Sequence, residues 1–174
     1  MSNGETILEA NGVELCVETF GDAAGPAILL VHGASTSMLW WEDELCERIA
    51  ARGRYVIRFD NRDTGRSVSY PAGRPEYSLR DMARRDVLRT ANIASCLTNH
   101  FVIDFNAPIR LSEIQAPCLV VHGERDPVFP LGHGQALGQK LPRAELLVME
   151  QAGHELPPAL WDVFVPALVR HTAG

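Results

Sequence analysis

The chain has 174 residues, 46% hydrophobic and 22% charged, the balance of one soluble globular domain with enough length for a real core. A formal net charge of -6 argues against a nucleic-acid or an anionic-membrane partner. No apolar run approaches bilayer length, and MSNGETILEA has neither the basic region nor the apolar core of a secretory signal, so a cytoplasmic location is expected.

In chain order, Ile7 to Ala10 and Val13 to Phe20 read as two strands joined by Asn11-Gly12, the strongest short hairpin signal. In the second, Val13, Leu15, Val17 and Thr19 alternate with Glu14, Cys16 and Glu18, which predicts one face toward water. Ala27 to Val31 is apolar throughout, as in a central strand, and ends at His32-Gly33-Ala34. Ser37 can cap a helix in which Met38, Trp41, Leu45 and Ile49 recur at helical spacing, with Gly53 as its stop. Tyr55 to Phe59 is the next strand, and the polar run from Asp60 to Ser67 is its exit loop. Ser78 then begins a long helical stretch carrying Leu79, Met82, Val87, Ala94 and Leu97 on one face.

The segment from Cys118 to Pro130, CLVVHGERDPVFP, organises the second half. Its apolar start suits a strand buried on both faces of a parallel sheet, and Asp126 sits on the loop leaving that strand. Open α/β sheets keep their chemistry at such strand ends. A helix weakened by Gly132, Gly134 and Gly138 follows, then a strand over Glu145 to Met149 that leads into Ala152-Gly153-His154. The final helix presents Leu160, Phe164 and Leu168 inward, with Pro166 inside it. Alternating strands and helices after an antiparallel start predict an α/β fold: a mostly parallel sheet of about six strands, covered by helices on both faces. Cys16, Cys46, Cys96 and Cys118 are scattered without a C-x-x-C pair and read as free thiols. The six histidines show no metal-ligand spacing, and no G-x-G-x-x-G or P-loop is present, so neither metal nor cofactor is implied.

Four motifs in order carry a resemblance. His32-Gly33 after the third strand resembles the oxyanion loop of the α/β-hydrolase family, and Asp60-Asn61-Arg62-Asp63-Thr64-Gly65-Arg66-Ser67 is similar to its D-x-R-G-x-G-x-S loop. Gly123-Glu124-Arg125-Asp126-Pro127 and Gly153-His154 resemble its acid and histidine loops. The wording is most similar to the esterase branch that includes aclacinomycin methylesterase. The family's centre is missing: two strands, their helices, a cap, and the G-x-S-x-G turn that presents the serine nucleophile. A strand–helix unit takes about 30 residues, and only the 36 from Asp81 to Ala116 are available. The chain therefore reads as one truncated α/β-hydrolase domain over residues 1–174, its N-terminal half 1–83 joined to its C-terminal half 84–174 by an internal deletion. Strand order would be first, second, fourth, third, acid strand, last, with the Ser78 helix as a right-handed crossover.

The resemblance implies that His154 is the general base of an acyl-transfer relay and Asp126 its orienter, with Glu124 a substitute acid. His32, Gly33 and Ala34 would form the oxyanion loop, with His32 shaping it and the Ala34 N–H donating. The residue after the nucleophile, which supplies the second donor, is absent; losing one donor typically costs about 10²–10³ in rate. Three outcomes follow. The chain is a carboxylic-ester hydrolase relative, acting on a small-molecule ester if at all, with weak or no turnover. Alternatively Ser35, in Gly33-Ala34-Ser35-Thr36-Ser37, is a relocated nucleophile, against the plainer reading that it helps cap the next helix. Or the chain is a non-catalytic assembly module, a homodimer or domain swap through the vacated sheet edge. Ser67 is expected to bond its own loop, and Trp40, Trp41 and Trp161 to serve as core or pocket wall.

Overall fold

A computed structural model describes residues 1–33, 36–69 and 111–173. The helical stretch expected from Ser78, with Cys96 in it, lies outside the described residues, as do Ala34 and Ser35. The chain divides into two compact units, Met1–Ala107 and Pro108–Gly174.

In the first unit, β1 (Ser2–Ala10) and β2 (Val13–Phe20) form the expected hairpin, Ala10 opposite Val13. Asn11 and Gly12 both take the left-handed backbone the tight turn needs, at φ 54° and 75°. β1 starts five residues earlier than its apolar pattern suggests and is exposed along nearly all its length, Ile7 and Leu8 included. β2 lies between β1 and β4 (Tyr55–Phe59), and β3 (Ala27–Leu30) pairs parallel with β4, giving the order β1-β2-β4-β3 expected from sequence.

One expectation for β2 does not hold. Cys16, Glu18 and Phe20, on the face sent toward water, are buried. The cause is Arg58 of β4, which stands directly across the ladder from Glu18 and is 1% exposed. Its guanidinium meets the Glu18 carboxylate at 2.5 Å and lies 5.0 Å from the Phe20 ring centroid. A buried carboxylate needs such a partner, and a guanidinium supplies two donors at once.

The helix expected from Met38 to Ile49 also divides, into a 3-10 turn over Met38–Trp40 and then α1 (Asp43–Ala50). A continuous helix would give the Trp41 carbonyl to the N–H four residues on; here Arg58 donates to it instead. Ser37 makes no side-chain cap bond. Asp43 and Glu44 in the first turn of α1 suit the positive end of its dipole, and Leu45, Cys46 and Ile49 form its buried face. Burial pushes the Cys46 thiol up to about 11, so it behaves as an apolar core residue.

In the second unit, β5 (Cys118–Gly123) pairs parallel with β6 (Ala144–Met149), Cys118 opposite Ala144 and Gly123 opposite Met149. α2 (Gly132–Lys140) connects them, and α3 (Trp161–His171) closes the chain. All six expected strands form among the described residues, four in a mixed sheet of the first unit and two in a parallel pair of the second. β5 is half-buried throughout, not fully buried. In α3 the deepest residues are Trp161, Val165 and Ala167, one position off the expected stripe. The Trp161 indole N–H reaches the Leu156 carbonyl at 3.1 Å, so the largest apolar side chain of the segment can be buried with its polar atom satisfied. Trp40, by contrast, is exposed and belongs to no core. Among the described residues no helix is long and apolar enough to cross a membrane.

Candidate functional site

β5 and β6 run parallel, so the loops leaving their carboxyl ends emerge side by side. Three backbone and side-chain bonds sew them together. The Glu124 N–H donates to the Met149 carbonyl at 3.0 Å, and the Arg125 N–H to the Ala152 carbonyl at 2.8 Å. The Gln151 N–H donates to the Glu124 carboxylate at 3.3 Å. Glu124 thus faces the backbone of the second loop, and the acid that meets an imidazole is Asp126.

Asp126 turns to its own loop and to the next one. Its Oδ1 accepts the N–H groups of Val128 at 2.8 Å and Phe129 at 2.9 Å, an Asx-type turn that Pro127 helps close. Its Oδ2 accepts from His154 Nδ1 at 2.8 Å. Its own desolvation opposes ionisation, but the His154 hydrogen bond and the Phe129 and Val128 N–H bonds outweigh it and hold the carboxyl down to about 2. Asp126 is therefore an acceptor only at neutral pH, and the proton of the shared bond belongs to His154 Nδ1. That leaves Nε2, on a ring whose side chain is 52% exposed, free to accept a proton. Chemically the pair can orient an imidazole and stabilise its protonated form.

The loop after β3 belongs to the first unit and is held by different means. His32 is buried; its Nδ1 lies 2.9 Å from Thr36 Oγ1 and 2.9 Å from the Gly33 carbonyl, which also accepts from Thr36 Oγ1 at 3.0 Å. Its ring shapes this turn. Asp60, also buried, accepts the Met38 N–H at 2.8 Å and the Arg66 N–H at 2.9 Å, joining the end of this loop to the exit loop of β4. Ser67 bonds its own loop, donating to the Asp60 carbonyl at 2.7 Å, and accepts the Cys16 N–H at 2.8 Å. Ala34 and Ser35, the expected oxyanion donor and the alternative nucleophile, lie outside the described residues.

Sequence reasoning missed three contributors. Phe129 packs against the pair, His122 holds the Phe129 carbonyl, and Arg58 organises the first sheet; a charged residue in the middle of the apolar strand YVIRF was the available signal for Arg58. For Phe129 the signal was an aromatic inside a Pro-bounded loop right after the acid. An open cleft lined by Met149, Gln151, Pro157, Leu160 and Val163 does not include Asp126 or His154, so it does not mark the chemistry. Among the described residues no group of three or more His, Cys, Asp or Glu side chains is placed to hold a metal ion.

Comparison with known proteins gives concordant results. A family profile, Abhydrolase_4, described as TAP-like protein, matches residues 89–159. Rhodomycin D methylesterase DauP of Streptomyces sp. (strain C5) is 44% identical over 71 residues, 41% of this chain and 24% of that protein. Rhodomycin D methylesterase DnrP of Streptomyces peucetius is 49% identical over 55 residues, 32% of this chain and 18% of that protein. The matched segment thus spans a quarter or less of the length of these relatives. A hydrolase from Pseudomonas aeruginosa PA01 shares the fold at TM-score 0.73 and 16% identity, covering 99% of each chain.

Proposed function

We propose that this protein, which is similar to α/β-hydrolases, carries the acid–base half of a carboxylic-ester hydrolase relay without the serine that half exists to activate. The supporting observation is the 2.8 Å bond from His154 Nδ1 to an Asp126 carboxylate whose other oxygen is filled by two backbone N–H groups. In such a relay Asp126 fixes the tautomer and His154 Nε2 takes the nucleophile's proton, then returns it to the leaving alkoxide. No G-x-S-x-G occurs in the sequence. Removing the serine of a triad lowers kcat by roughly 10⁶ in subtilisin, while leaving residual catalysis from binding and the oxyanion hole. Turnover here is weak or nil, and a methyl-ester substrate like those of the named relatives is the chemistry to try first.

The test is hydrolysis of an activated aryl ester and of a small methyl ester by the purified chain and by His154→Ala. The reading expects no saturable turnover from either protein. Saturable hydrolysis well above the uncatalysed rate, abolished by His154→Ala, would show that a nucleophile is in place.

One observation favours a second reading, a homodimer through β3. That strand pairs only with β4 among the described residues, and its Leu29 is 57% exposed and the following Val31 59%. An apolar edge of this kind invites a second copy. Light scattering of a stable dimer that Leu29→Lys dissociates supports it; a monomer at all concentrations rules it out.

A further inference from the structure

We propose that Phe129 and His122 form a second support for the Asp126–His154 pair: His122 anchors Phe129 by its carbonyl, and the Phe129 ring holds the His154 imidazole turned toward Asp126. This rests on the relay reading of the pair but concerns what keeps it assembled. Both are positioning residues, since neither would touch a substrate's reacting atoms.

The geometry runs as a chain of contacts through one unit. His122, near the carboxyl end of β5, places Nε2 2.7 Å from the Phe129 carbonyl, so Nε2 carries the hydrogen and donates. The Phe129 N–H is taken by Asp126 Oδ1 at 2.9 Å. Both backbone polar groups of Phe129 are thereby pinned by side chains, which fixes the direction of its own side chain on a loop that would otherwise be free to turn. Its ring then stands 5.5 Å from the His154 ring at 49° and 5.7 Å from the His133 ring at 49°, the tilted arrangement aromatic pairs favour. Space for the anchor is made on α2: a Cβ on Gly134 would stand 2.7 Å from His122 Cγ. No residue larger than glycine leaves room for His122 there.

The need for such a support follows from exposure. Among the described residues the His154 side chain makes one hydrogen bond, at Nδ1, and it is half exposed. A single bond at one edge fixes the tautomer but leaves the ring free to swing about its χ angles into water. A neighbouring ring removes that freedom without competing for the protons. Phe129 is itself 48% exposed, so it contributes little to a core, and its placement against two imidazoles is the contact its burial cannot explain.

The experiment is proton NMR of the full chain at neutral pH, following the low-field Nδ1–H resonance of His154 and the ring-current shift of its carbon-bound protons. The wild-type protein is expected to show the protected Nδ1–H signal. Phe129→Ala and His122→Ala are expected to lose it to exchange with water, with amide dispersion unchanged, and Phe129→Tyr and His122→Gln to keep it. Phe129→Leu, which keeps bulk but not the ring, serves where alanine unfolds the chain. A Phe129→Ala or Phe129→Leu protein with the signal as sharp and as shifted as wild type overturns the proposal. Absence of the signal from the wild-type protein overturns the relay pair itself, and the support with it.

Discussion

The carbonyl oxygen of Gly153 lies 2.0 Å from where a Cβ on Gly123 would stand, so the strand that ends in the acid loop and the loop that carries the histidine touch backbone to backbone. The Ala152 carbonyl is also close, at 2.7 Å from the same point. Backbone atoms cannot rotate away as a side-chain tip can. The Asp126–His154 bond therefore depends on a residue with no side chain at position 123.

From this contact Gly123→Ala is expected to push the two loops apart. Overpacking of this kind typically costs about 1–3 kcal/mol, and here it also removes the low-field His154 proton. Urea denaturation checks the first part and NMR the second. A variant within about 0.5 kcal/mol of wild type, the ordinary range for an inconsequential surface change, would mean the loops have slack.

The Arg58–Glu18 pair should respond asymmetrically to mutation. Removing Arg58 leaves the Glu18 carboxylate buried without its cation, and removing Glu18 leaves the buried Arg58 with only the exposed Asp43 as counter-charge; breaking a buried pair typically costs about 3–5 kcal/mol, whereas replacing both with apolar residues costs much less. Glu18→Leu and Arg58→Met are expected to be strongly destabilising singly and to compensate when combined, measured as a double-mutant cycle in urea. Asp43, exposed at its end of the same network, matters less: its side chain is 70% exposed, and Asp43→Ala is expected to change stability by under about 1 kcal/mol. Additive single losses would contradict the pairing.

Asp126 gives a pH prediction whose sign is fixed. Its folded-state value, about 2, is below the ordinary carboxylate range, so its contribution to stability is complete above the unfolded value of about 4 and is lost as pH falls from there toward 2. The carboxyl carbon of Asp126, followed by NMR, should titrate with a midpoint near 2, and His154→Ala should raise it. A midpoint near 4 in the wild-type protein would show that the hydrogen bonds are not formed in solution.

Much of this was legible in the sequence, for identifiable reasons. The strand order β1-β2-β4-β3 and the parallel β5–β6 pair follow from motif order, Asn11-Gly12 and the apolar runs. Asp126 and His154 were found because an acid and a histidine after successive late strands must emerge together when those strands are parallel. What escaped was tertiary. The alternation in β2 pointed Glu18 to water, because one strand's pattern says nothing of a cation arriving from its neighbour. The break at Trp41 was hidden because helical spacing continues through it while Arg58 captures the carbonyl. Phe129 and His122 act through backbone groups, and residue spacing does not record where a carbonyl points.

The central claim, an imidazole and carboxylate assembled with no hydroxyl to activate, is tested most directly by a fluorophosphonate probe, which labels activated serines. After incubation, intact-mass and peptide mass spectrometry should find the chain unmodified, alone and beside His154→Ala. A stoichiometric adduct on any serine, Ser35 above all, that forms in the wild-type protein and not in His154→Ala would contradict it.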